Sequence, residues 1–281
     1  MKTRSTALWL TVGATALTLA CAPAAETEDP APETAAQEEA PESPPHWTYE
    51  GQTGPAAWGG LSAEFSACAE GMQQSPIDIT GALAETLPEL RAQFGEVALR
   101  IVHAEHVADA INNGHTIQVN YTEGDMLSVD DTDYELVQYH FHSPSEHTVE
   151  GAHFPMEMHF VHAAADGALA VIGVFIEEGE HNDAFDPIWN NLPQEQGVEN
   201  HIGEVTVDVD QLLPANATSY RYAGSLTTPP CSEGVAWIVM TEPIQLSGEQ
   251  IGAFTALIEG NNRPVQPLNG RPIVTDQVEN S

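Results

Sequence analysis

Seven short runs rich in β-branched and aromatic residues, each bounded by turn formers, commit this chain to a sheet. They are Val97–Val102, Thr116–Tyr121, Leu136–His142, Met156–Ala163, Ala168–Phe175, Val205–Val209 and Val235–Met240. Asn113-Gly114, Glu123-Gly124, Asp166-Gly167 and Glu178-Gly179 punctuate them, as turns between strands require. Helical periodicity is scarce. Phe185–Asn191 is a short candidate and Gly248–Glu259 a longer one, with Ser247 placed to cap it. No internal repeat or second linker interrupts residues 46–281, which reads as one mainly β (α+β) domain.

Ahead of that domain the composition changes twice. Lys2 and Arg4 precede an apolar run from Ala7 to Leu19 that ends on the small Ala20, the layout of a secretion signal and too short for a comfortable membrane span. Leu17-Thr18-Leu19-Ala20-Cys21 resembles a lipobox, so residues 1–20 read as a lipoprotein-type signal peptide and Cys21 as a lipidation site. Cleavage further on, within residues 21–25, is the alternative. Residues 21–45 carry six prolines and seven acids without an aromatic residue. Such a segment buries too little to offset its ordering entropy, and it reads as an extended acidic tether. The expected location is therefore extracytoplasmic, in the periplasm or on the cell surface.

Charge sets further bounds. Seven basic residues against 42 acidic ones give a net charge of −35. A field of that sign repels nucleic acid and anionic membrane faces, so neither is an expected partner, and membrane contact is expected only through the N-terminal lipid. A homodimer stays open. The acidity reads as adaptation to a saline exterior, a halophilic trait, with a merely acidic exported protein as the plainer alternative. Of three cysteines, lipidation of Cys21 leaves Cys68 and Cys231. In an oxidising compartment they are expected to form one disulfide rather than persist as two buried thiols.

The chemistry is concentrated in three of twelve histidines. His140 and His142 stand at i and i+2 in a strand-like run, so their imidazoles share one face while Val137, Tyr139 and Phe141 take the other. His159 lies in a second such run, which a hairpin could lay alongside. Three imidazoles on one sheet face make an open tripod for Zn²⁺ that leaves a fourth position for water. Gln138 and Glu157 have the same parity as the histidines and suit the outer hydrogen bonds that ligating imidazoles make. The spacing of His140, His142 and Glu146 also fits cupins, a different class of β-barrel metalloenzyme.

Longer segments separate these readings. Gln138-Tyr139-His140-Phe141-His142-Ser143-Pro144-Ser145-Glu146-His147, Glu157-Met158-His159-Phe160-Val161-His162 and Gly224-Ser225-Leu226-Thr227-Thr228-Pro229-Pro230-Cys231 resemble signatures of α-class carbonic anhydrases. Further resemblances are Trp47-Thr48-Tyr49, Gln74-Ser75-Pro76-Ile77-Asp78-Ile79, Asn113-Gly114-His115, Ala236-Trp237-Ile238-Val239 and Asn262-Arg263-Pro264-Val265-Gln266-Pro267-Leu268. They run in the family's order through nearly the whole expected domain, and the cupin reading does not explain them. The connection after His142 is shorter than in animal members and similar to bacterial ones.

The resemblance implies a central twisted, mostly antiparallel sheet of about ten strands with short peripheral helices. It implies zinc-dependent, reversible hydration of carbon dioxide to bicarbonate and a proton, with His140, His142 and His159 as ligands and Gln138 and Glu157 behind them. Thr227 and Glu146 would orient the nucleophile, and Thr228 would help hold bicarbonate. Val161, Val171, Leu226, Val235 and Trp237 would form the apolar wall for carbon dioxide. His115 would shuttle protons, with Tyr49, Asn112 and Gln118 ordering water between, while His147 and His162 are expected to be structural or outer-lying. A non-catalytic zinc-binding lipoprotein is the rival from another class, although all three ligands, Thr227 and Glu146 are present.

Overall fold

Alternation along the central strands sets the layering. The computed structural model describes residues 45–87, 90–93, 96–104, 115–120, 125–129, 132–196, 199–258 and 260–276. The signal and tether, Cys21 included, lie outside the described residues apart from Pro45, as do Asn112, Asn113-Gly114 and Glu123-Gly124. Residues from Pro44 onward form one unit.

Ten strands follow one another across the main sheet: β1 (Leu83–Glu85), β2 (Glu96–Ala104), β3 (Thr116–Asn120), β4 (Thr132–His142), β5 (Met156–Ala164), β6 (Leu169–Glu178), β7 (Glu199–Asp208), β8 (Ser219–Ser225), β9 (Glu233–Met240) and β10 (Val274–Asp276). Their spatial order is β7-β2-β3-β4-β5-β6-β9-β8-β10-β1. Neighbours are antiparallel except at β6–β9 and β10–β1. Three further short strands pair at the sides: 91–93 with 126–129, 126–129 with β4, and 244–246 with β6. The expected class and sheet are therefore observed, and each of the seven β-rich runs lies in a strand for most of its length.

Three expectations are corrected. Helix α1 covers only Gly248–Thr255, although Ser247 does cap it and forms a capping box with Gln250. The Phe185–Asn191 candidate is a 3₁₀ turn at 183–185 running into one α-turn over 186–189. Val137 does not join Tyr139 and Phe141 in the core but is 37 % exposed. The reason is a register shift: Gln138 faces Val161 while Leu136 faces His162, so Val137 is an extra residue on β4. Such a bulge reverses the parity before it, and Leu136 takes the buried place.

One sheet face packs Tyr139, Phe141, Met156, Met158, Phe160 and Ile172 with Phe254 of α1 into the larger core. The other face carries Val161, Val171, Val235 and Trp237 in a second cluster. Trp47, Trp58 and Phe65 pack against Cys68 and Cys231, whose sulfurs are 2.06 Å apart across a sequence separation of 163. The expected disulfide is present. No helix among the described residues is long and apolar enough to cross a membrane.

Candidate metal centre

Register places the side chains that parity only assigned to a face. His140 on β4 is the direct partner of His159 on β5, and His142 is the partner of Glu157. Gln118 on β3 faces His140 from the other side. Directly opposed side chains on one face lie close together, so adjacent rungs gather His140, His142, His159 and Glu157. On the far side of β5, His159 faces Gly173 of β6. A Cβ at Gly173 would lie 3.1 Å from Glu157 Oε1, so the glycine leaves room for that buried carboxylate.

Each imidazole is oriented by a hydrogen bond from one ring nitrogen, leaving the other free. His140 donates Nδ1–H to Gln138 Oε1 at 2.9 Å. His142 donates Nδ1–H to the Asn261 carbonyl at 2.7 Å. His159 donates Nε2–H to Glu157 Oε1 at 2.8 Å. The second nitrogens are then His140 Nε2, His142 Nε2 and His159 Nδ1, and ligand atoms of the three residues lie within 4.8 Å of one another. His142 Nε2 is buried with no hydrogen-bond partner among the described residues. Burial first, and then the neighbouring imidazoles, push the His140 pKa well below its ordinary value. Burial lowers that of His142 as well. Neutral rings with an unshared lone pair are the form that binds a metal ion, and an orphaned buried nitrogen is costly without one. The donor set fits a zinc ion.

Behind the tripod a polar network holds these rings still. Glu157 accepts His147 Nδ1–H at 2.7 Å on Oε1 and the backbone N–H groups of Glu146 and His147, each at 2.8 Å, on Oε2. Burial alone would raise its carboxyl pKa, but His147 and His159 outweigh it and hold the group well below the usual range. The chain continues from His147 Nε2 to the Tyr222 hydroxyl at 2.7 Å and on to Ser75 Oγ at 2.8 Å.

Glu146 is fully buried. Its Oε1 accepts the Arg263 backbone N–H at 2.8 Å, and its Oε2 lies 3.6 Å from His142 Nε2 and 3.8 Å from His159 Nδ1. That oxygen has no hydrogen-bond partner among the described residues, so the direct bond to Thr227 implied by the resemblance is not formed here. Thr227 does line the cavity over the imidazoles. Arg263, whose pKa burial lowers to about 10, donates to Gln74 Oε1 and to the carbonyls of Ser75 and Cys68. Gln74 donates in turn to the Cys231 carbonyl, and Cys231 N–H closes a turn on Thr228. Disulfide, Arg263, Glu146 and the Thr227-Thr228 loop are thus one connected assembly.

The cavity of about 30 Å³ is lined by the three histidines, Tyr49, Thr116, Gln118, Val161, Val171, Leu226, Thr227, Thr228 and Trp237. It has room for a couple of water-sized molecules. Val235, expected in its wall, is not among the lining residues and is instead buried in the same apolar cluster as Val161 and Trp237. His115 is not among the lining residues; it is 6 % exposed, its ring 3.6 Å from that of Trp47, and it opens on a neighbouring cleft. Sequence reading passed over Asn261, Arg263 and Tyr222 as site residues. Asn261 and Arg263 act on the ligands and Glu146 through backbone atoms, which leave no side-chain signature.

Comparison with known proteins agrees with this geometry. The description of eukaryotic-type carbonic anhydrases matches residues 53–277. A carbonic anhydrase of Pectobacterium carotovorum is 44 % identical over 230 residues, covering 82 % of this chain and 90 % of that protein. The solved α-carbonic anhydrase of Thermovibrio ammonificans, in complex with the inhibitor sulfanilamide, superposes with a TM-score of 0.77 at 44 % identity over 82 % of this chain and 99 % of that one. A hyperthermostable carbonic anhydrase from a hydrothermal vent chimney gives the same TM-score at 47 % identity over 83 % of this chain and 100 % of that one.

Proposed function

Because the chain belongs to the eukaryotic-type, or α-class, carbonic anhydrase family, we propose that it hydrates carbon dioxide reversibly on a zinc ion held by His140 Nε2, His142 Nε2 and His159 Nδ1. The observation that carries this reading is the tripod itself: two buried rings and one half-buried, each with one nitrogen hydrogen-bonded outward and ligand atoms of all three gathered within 4.8 Å of one another. Zinc bound there would act as a Lewis acid and bring the pKa of a water molecule to near neutrality, as the metal does in carbonic anhydrase.

The protein's own groups supply direction and exclusion. An ionised Glu146 can only accept a hydrogen bond. Its Oε2 is the acceptor not taken by Arg263, and although it makes no bond to Thr227 in this structure, the Thr227 hydroxyl on the cavity wall is the donor we assign to it in the reacting enzyme. A Thr227 hydroxyl that donates to Glu146 must accept from the nucleophilic oxygen, which turns a lone pair of that oxygen toward the substrate. Val161, Val171, Leu226 and Trp237 give carbon dioxide an apolar surface beside the tripod, and Thr228, which also lines the cavity, would help hold bicarbonate. His115 accepts the proton released in each turnover, through water ordered beside Tyr49 and Gln118. Burial raises the Tyr49 pKa well above its ordinary value, so its hydroxyl stays protonated and can both donate and accept.

Glu146→Gln tests this assignment. The amide can donate as well as accept, so it no longer enforces the direction of the Thr227 hydroxyl. The variant should keep its zinc and lose roughly 100-fold or more in kcat/KM; full activity would remove Glu146 from the mechanism. Residues 1–20 we assign to export and Cys21 to lipid attachment, on the sequence alone. Mass spectrometry of the mature N-terminus should find an acylated Cys21, and an unmodified N-terminus beyond it would refute the anchor.

A further inference from the structure

Two of the three ligating rings carry their hydrogen-bond acceptor on their own strand, and the third does not. Gln138 stands two residues before His140 on β4, and Glu157 two residues before His159 on β5. Strand alternation alone puts each of these pairs on one face. His142 relies instead on the carbonyl of Asn261, 119 positions away in the segment joining α1 to β10. A carbonyl in a connection orients a ring only as well as the connection itself is held.

The side chain of the same residue holds it. Asn261 Nδ2 donates to the carbonyls of Phe141 and His115, each at 2.9 Å. Its Oδ1 accepts Ser143 N–H at 2.8 Å, and its own backbone N–H donates to the Ser143 carbonyl at 3.3 Å. The amide therefore grips the residue before His142 and the residue after it, while the backbone carbonyl takes the ring between them. Both amide hydrogens and the oxygen are used, as a side chain only 1 % exposed requires. The bond to His115 adds a tie to the chain entering β3.

We infer that Asn261 is a positioning residue for zinc retention: its side-chain amide fixes its own carbonyl against β4 and so keeps the His142 ligand atom gathered with those of His140 and His159. Removing the amide leaves every group that would touch the ion in the sequence, but it releases the carbonyl that orients His142. The inference rests on the zinc reading above, and the test separates the two.

Asn261→Leu keeps the size of the side chain and the backbone carbonyl, and removes the three side-chain hydrogen bonds. Gln250→Leu is the control: its buried amide also bonds to backbone groups, at Asn182 and Ser247, and none of these bonds reaches a ligand. Zinc affinity of each protein is measured by competition with a coloured chelator, and stability of the metal-free fold by urea. Both variants should lose stability, but Asn261→Leu alone should bind zinc more weakly, by roughly 10–100-fold. Its carbon dioxide hydration should return when zinc is in excess. If Asn261→Leu does not fold, Asn261→Ser carries the same expectation, because a hydroxyl is too short to span the three bonds. Wild-type zinc affinity in the folded Asn261 variant, or an equal loss in Gln250→Leu, overturns the inference. Tight binding that is lost in His142→Ala and kept in the Asn261 variant removes the inference alone. Wild-type affinity in His142→Ala removes the tripod reading and the inference with it.

Discussion

Acid should destabilise this fold through His162, and the size of the effect follows from its surroundings. The ring is fully buried on the core face of β5 and donates Nδ1–H to the Phe160 carbonyl at 3.0 Å. Burial lowers its pKa to about 4, the backbone contacts only partly opposing that shift. In the unfolded chain the same group titrates near 6.5. Between these two values the unfolded state holds a proton that the folded state refuses, so stability falls as pH drops. The slope is about 1.4 kcal/mol per pH unit, and the loss levels off near pH 4 at roughly 3 kcal/mol. His162→Asn keeps a donor in the position of Nδ1 and cannot titrate. Urea denaturation of the zinc-loaded wild type and variant across this range isolates the term, because every other titrating group contributes equally to both. The variant's unfolding free energy should depend less steeply on pH, by about one proton. Parallel curves would mean that His162 titrates normally in the fold and that the reasoning from burial is wrong.

Reducing the Cys68–Cys231 bond releases a loop with a sequence separation of 163. It should cost roughly 5 kcal/mol in the chain-entropy account, read as a lower urea midpoint, and an unchanged midpoint would contradict that account. Self-repulsion at a net charge of −35 should yield to screening, so Tm at neutral pH should rise from ~10 mM to ~1 M salt. A flat or falling Tm would remove the halophilic reading and leave the enzyme untouched.

What the sequence disclosed, and what it withheld, divides along physical lines. The shared face of His140 and His142 was legible because strand alternation is local and needs no partner. The pairing of His159 with His140 is a matter of register between strands thirteen residues or more apart, which alternation does not specify. The bulge at Val137 was hidden because the local pattern continues through it, and only the facing strand reveals the extra residue. Strand β8 escaped notice because Ser219–Ser225 mixes serine, arginine and glycine with its two tyrosines, and burial between β9 and β10 supplies what propensity does not. Asn261 serves His142 through a carbonyl that every residue possesses. The side on which His115 opens depends on Trp47, 68 positions away, and that is tertiary information.

In the function proposed, three imidazoles hold one zinc ion on which hydration depends. Metal-free protein titrated with zinc, with carbon dioxide hydration followed at each addition, tests it most directly. Activity should rise in proportion and stop at one zinc per chain, whereas His142→Ala should show neither tight zinc binding nor appreciable rate. Full hydration without zinc, a plateau at another stoichiometry, or a His142→Ala protein that binds zinc and turns over normally would contradict the account.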